Sequence, residues 1–152
     1  MSEATKIVLT SSATILGGVI VFCLQQIVSE VFIVPILNQR KLFGEIKIAL
    51  KYYANIYSNP GVTSKETISA AQERFRELAS NLDASVVMIP AYKLLSKIRF
   101  VVPANNIAEA SKNFIFLSNS CWRIPGEVGV SNSGFENSKK AEEIEKLLKF
   151  LT

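Results

Sequence analysis

Apolar and polar positions divide the chain near residue 37. From Ile7 to Leu37 it reads IVLTSSATILGGVIVFCLQQIVSEVFIVPIL, without Lys or Arg and with a single acid, Glu30. A helix rises 1.5 Å per residue, so about 20 residues cross a hydrocarbon core of about 30 Å. Residues 13–36 meet that length and are expected to form a transmembrane helix, preceded by a short N-terminal tail over 1–12. Two other readings compete. A secretory signal fits poorly, because MSEATK is weakly charged, the apolar region overruns the usual length and no small-x-small cleavage site follows. A helix buried in a soluble core needs partners, and the downstream helices are too few and too amphipathic to cover this much apolar surface.

Beyond residue 37 the pattern becomes a series of helical stripes. LNQRKLFGEIKIALKYYANIY, residues 37–57, sets Leu42, Phe43, Ile46, Ala49, Leu50, Tyr53, Ile56 and Tyr57 at helical spacing, and Asn59-Pro60-Gly61 stops it. That helix either continues the span as one rod or lies in the interface plane. Thr63 and Glu66 suggest a capping box for a helix whose stripe is Ile68, Ala71, Phe75, Leu78, Leu82 and Val86, with Pro90 at its end. Residues 91–103 read as a short helix finishing in an extended Phe100-Val101-Val102 before Pro103. Asn105 or Asn106 is expected to cap the next helix, with Ile107, Ala110, Phe114 and Leu117 turned inward. CWRIPGEVGVSNSGFENS, residues 121–138, is expected to be a flexible loop, and Ser138 to cap a C-terminal helix over 139–152. The expected fold class is all-α: one N-terminal transmembrane helix followed by a small cytoplasmic helical bundle, with its helical domain over 37–120. No internal repeat emerges.

Polar residues inside the apolar run change the picture. Gln26 and Glu30 are four apart and share a helix face. With the span centred near Cys23, Glu30 lies roughly 10 Å along the axis toward one interface. A carboxylate there costs much less than the about 2.5–3.5 kcal/mol charged at the bilayer centre. Such a stripe can orient the span against a neighbouring subunit or line a passage, or Glu30 can simply sit among headgroups. Gly17-Gly18 has no phosphate-binding context and reads as close helix packing.

Charge then gives an orientation. Seventeen basic and thirteen acidic residues leave +4; without the first 35 residues, sixteen against eleven leave +5. Only Lys6 precedes the span, whereas Arg40, Lys41, Lys47 and Lys51 follow it. The basic-residue bias puts the bulk of the chain on the cytoplasmic side of an inner membrane. Pro35 permits a kink at the exit.

Candidate chemistry is sparse. The chain has no histidine, which excludes His-based acid/base catalysis, Ser-His-Asp and Cys-His arrangements, and His-containing zinc sites. Cys23 and Cys121 read as free thiols of a reducing compartment, and two cysteines cannot build a four-thiolate site. No catalytic residue, metal or cofactor is expected, and the chain reads as a non-enzyme. Arg76 is a candidate contact for an anionic partner, although Glu73 and Glu77 beside it suggest a solvated face. Trp122-Arg123 is a candidate contact for a partner or for lipid headgroups. The basic, aromatic-laced patches of nucleic-acid binders are missing, and no nucleic acid is expected.

One resemblance follows from particular residues. Glu30 and Pro35 at the span exit, Gly44-Glu45-Ile46, Tyr53-Ala54-Asn55 with Asn59-Pro60, Arg76-Glu77-Leu78-Ala79 and Leu117-Ser118-Asn119 carry it. Over roughly residues 14–120 the chain resembles a largely uncharacterised family of small bacterial proteins with one N-terminal transmembrane helix and a helical cytoplasmic domain. The resemblance implies fold and location, and it implies no activity. The expected function is a membrane-anchored helical protein that self-associates or docks another membrane protein at the inner face of the bilayer. The alternatives are a small oligomeric channel or membrane-perturbing effector, and a membrane-tethered enzyme built without histidine.

Overall fold

Ser2 starts the first helix: its Oγ accepts a hydrogen bond from the Thr5 N–H. The computed structural model describes residues 2–122 and 133–148. Helix α1 (Glu3–Val28) therefore absorbs almost all of the expected tail over 1–12. No breaker interrupts residues 3–12, and the Thr10 and Thr14 hydroxyls turn back to donate to the carbonyls of Lys6 and Thr10, both at 2.9 Å. No residue of α1 is buried.

A single π-helical turn, Ser29–Ile33, links α1 to α2 (Val34–Tyr52), with the Val34 N–H reaching back five residues to the Ser29 carbonyl. The cause is Pro35. It has no N–H to give to Val31, and its ring would crowd that carbonyl; one wide turn just ahead absorbs the conflict. The kink permitted at Pro35 is thus taken up without a break. Glu3–Tyr52 is one helix of 50 residues, near 75 Å long at the standard rise, and its N-terminal part is apolar enough to cross a membrane. Residues 37–52 continue the apolar helix as one rod, while the expected helix end at 57 falls in a separate short helix.

Tyr53 leaves helical geometry, α3 (Ala54–Ser58) follows, and α4 (Lys65–Met88) runs back toward the span. Its direction is fixed by cross-links: Glu45 pairs with Arg74 at 2.9 Å, and Gln39 meets Ser85 at 3.0 Å. After the short α5 (Tyr92–Lys97), α6 (Ala104–Ser120) runs away again, with Ser111 bonded to the Ala79 carbonyl and Ser118 to that of Gln72. Helix α7 (Ser133–Leu148) returns, bringing the Leu147 carbonyl to Asn106. So α2, α4, α6 and α7 form an up-down bundle in which α2 is the continuation of the apolar helix.

The expected stripes are the core. Phe75, Leu78, Leu82, Ile107, Phe114 and Leu117 are fully buried, and Ile144 joins them from α7. Each such side chain contributes about 1.5–3 kcal/mol by leaving water. The rings of Phe75 and Phe114 lie 5.8 Å apart, and Tyr53 meets Phe75 edge-on at 5.6 Å.

Several expected boundaries are corrected. Ser64, rather than Thr63, caps α4, its Oγ accepting from the Thr67 N–H. Neither Asn105 nor Asn106 caps α6, which begins directly after Pro103; the Asn106 amide instead holds α7. Helix α7 starts at Ser133 and not after Ser138, so 133–138 are helical where a loop was expected. Residues 123–132 of that expected loop, and 149–152 of the expected last helix, lie outside the described residues. The physical reason for the early start is tertiary. Asn137 donates to the Tyr57 carbonyl at 2.8 Å, and Ser138 meets Ser58 at 3.0 Å, so a Gly/Ser/Asn-rich segment becomes a packing surface.

Candidate functional site

The apolar helix carries the first pair of candidate residues. Gln26 Nε2 donates to Glu30 Oε1 at 3.1 Å along one exposed face, as the spacing of four requires. No cation faces Glu30 from its own helix, since no Lys or Arg occurs between Lys6 and Arg40. Ser11, Gly18 and Gln25 recur at intervals of seven, and Ser29 follows Gln25 by four, so these small and polar residues share one side of the rod, distinct from the Gln26/Glu30 face. Space beside Gly17 and Gly18 is open: nothing lies within 4 Å of where a Cβ would sit on either.

Arg76 and Trp122 come together elsewhere, on the seam between α4 and α6. Arg76 donates to Asn119 Oδ1 at 3.3 Å, and the Trp122 indole N–H bonds to Gln72 Oε1. Gln72 closes the seam with its own amide on the Ser118 carbonyl at 2.9 Å. The shallow groove beside Arg76 also holds Glu73 and Glu77, a mixed-charge lining ill-suited to an anion. Both side chains therefore tie the two helices, while Trp122 keeps a partly exposed ring. Arg123 lies outside the described residues.

Gln39 is the residue that sequence reading missed. It is 2% exposed, and its amide donates to Ser85 Oγ and to the Tyr92 hydroxyl, both at 3.0 Å. The Tyr92 hydroxyl in turn donates to the Val102 carbonyl at 2.7 Å, and Ser85 to that of Leu82 at 2.7 Å. Burial raises the Tyr92 pKa above its ordinary value, more than the Gln39 bond lowers it. One amide thus joins the foot of α2 to α4, α5 and the segment before α6. A signal existed: Gln39 stands in phase with Leu42 and Ile46, a polar residue on an apolar stripe.

Arg74 links α2 to α4 by holding Glu45 at 2.9 Å and Glu77 at 2.7 Å, and the Glu77 bond is the main cause of its raised pKa. Partly exposed pairs of this kind contribute about 0–1 kcal/mol each. Among the described residues no group of three acids or thiols could hold a metal ion. The Cys121 thiol is buried, donates to the Leu117 carbonyl and is pushed by burial up to about 11, far from a reactive thiolate at neutral pH. No protein-family model, curated protein or solved structure matches the chain.

Proposed function

We propose that the chain is a single-span protein of a bacterial inner membrane whose bundle stands in the cytoplasm and which acts by association, through the span, with a second copy of itself. The observation that carries this reading is the unburied apolar helix: among the described residues nothing buries α1, and so much apolar surface requires an external cover. Lipid supplies most of that cover. The face bearing Gln26 and Glu30 offers hydrogen-bonding groups, which favours a neighbouring helix there. Basic residues on the bundle side of the span, Arg40 and Lys41 first, favour the cytoplasmic orientation.

The test is crosslinking in membranes of the wild type and of the variant carrying Gln26→Leu and Glu30→Leu. Polar contacts between membrane helices contribute from about 0.6 kcal/mol on average to about 1–2 kcal/mol in model peptides, so association should weaken roughly three- to thirty-fold. Insertion should not suffer, because a carboxylate is removed. Unchanged crosslinking would overturn the role of this face. A conductance carried by the wild type and abolished in the variant, with the oligomer intact, would replace it by a pore.

A further inference from the structure

The sharp turn between α4 and α6 has an unusual surface. Val87 is 86% exposed, and Met88, Leu94, Ile98 and Phe100 are also largely uncovered. Lys93, Lys97 and Arg99 are exposed among them, and none forms an ion pair among the described residues. No Asp or Glu occurs anywhere between Asp83 and Glu109. Apolar side chains interleaved with uncompensated cations make a surface suited to the boundary between lipid headgroups and acyl chains.

Its position in the fold matches that chemistry. Met88 shares a groove with Pro35 and Asn38, and Ile36 packs on the cluster of Ile89, Tyr92 and Val101. Pro35 is twelve residues beyond Cys23, which puts it roughly 18 Å from the span's centre and about 3 Å outside a hydrocarbon half-thickness of about 15 Å. The turn is therefore level with the headgroup layer of the membrane that the rod crosses. Gln39 and Tyr92 hold it there against the rod itself.

We infer that the α4–α5 turn is a second membrane-contact element, in which Val87, Met88, Leu94, Ile98 and Phe100 enter the interface and Lys93, Lys97 and Arg99 bind anionic lipid headgroups. This rests on the proposed span. The contact fixes the rotation of the bundle about its rod and makes its seating depend on lipid charge. Three cations close to an anionic surface shift the ratio of seated to unseated bundle by on the order of a hundred-fold.

The full chain in vesicles with brominated acyl chains tests this, using Trp122→Phe to remove the single native indole and one new reporter at a time: Phe22→Trp, Leu94→Trp or Val62→Trp. Val62 is also exposed but lies at the far end of the bundle, before α4. With about one-third anionic lipid, quenching is expected at positions 22 and 94 and not at 62. Pure zwitterionic lipid, or Lys93→Glu with Lys97→Glu and Arg99→Glu, should relieve it at 94 alone. No quenching at 22 would overturn the span. Quenching at 22 with position 94 open to an aqueous quencher would overturn only the turn's contact. Position 94 shielded from both quenchers would assign the surface to a protein partner, and quenching indifferent to lipid charge and to the charge reversal would remove the anionic headgroup from the proposal.

Discussion

Gly134 and Gly44 show how differently one residue type can be used. A Cβ on Gly134 would fall 2.2 Å from the Ser58 carbonyl oxygen, a backbone atom that cannot swing aside. A Cβ on Gly44 would meet nothing within 4 Å, and Gly44 sits inside α2. Gly134→Ala should therefore destabilise by about 1–3 kcal/mol, as overpacking does. Gly44→Ala should stabilise by about 0.5–1 kcal/mol by favouring the helix. Chemical denaturation in mild detergent, followed through near-UV circular dichroism, reads both; a neutral or stabilising Gly134→Ala would mean that α7 does not dock on α3. The place of Gly44 inside a helix was legible from the sequence, and that of Gly134 was not. Ser58 and Ser138 are 80 residues apart, and only their meeting turns a Gly/Ser/Asn-rich segment into a helix start. Gln39 was hidden similarly, since its partners come from residues 85 and 92.

Helices were far easier to read than their ends. Ile68, Ala71, Phe75, Leu78 and Leu82 are all buried, as the period of 3.6 demands, because burial of one face decides the whole of α4. Caps depend on one hydroxyl's orientation, and Ser64 stood one place from the expected Thr63. Helix α5 is the element most dependent on a single side chain. Ala91 and Arg99 bracket it in left-handed backbone, at φ 51° and 61°, and the Tyr92 hydroxyl joins it to Gln39 and Val102. Tyr92→Phe removes both bonds while keeping the ring. A hydrogen bond of this kind contributes about 0.5–1.5 kcal/mol, so with both lost, amides over 92–102 should exchange roughly five- to a hundred-fold faster. Amides over 68–82 should keep their protection. Equal acceleration in both regions would show that the network supports the bundle as a whole rather than the turn.

At the scale of the whole molecule, an all-helical chain with one long apolar helix was legible because both rest on composition and period. Candidate residues Arg76 and Trp122 are engaged in holding α4 to α6, contacts that no helical period announces. Orientation is a matter for protease. Carbonate-washed membranes should retain the chain, and the bundle should be cut in inverted vesicles but not from outside intact cells; cleavage from outside would reverse the topology. The unbroken helix from Glu3 to Tyr52 has a mechanical corollary. Its expected span over 13–36 is about 36 Å long at the standard rise, somewhat beyond a hydrocarbon layer of about 30 Å. A helix with such an excess leans in the bilayer, and leans more as the bilayer thins. Because no loop separates the span from α2, that lean is not lost at the surface. On the proposed span, a change of lean would therefore turn the bundle with the rod, tilting one flank toward the lipid and the other away.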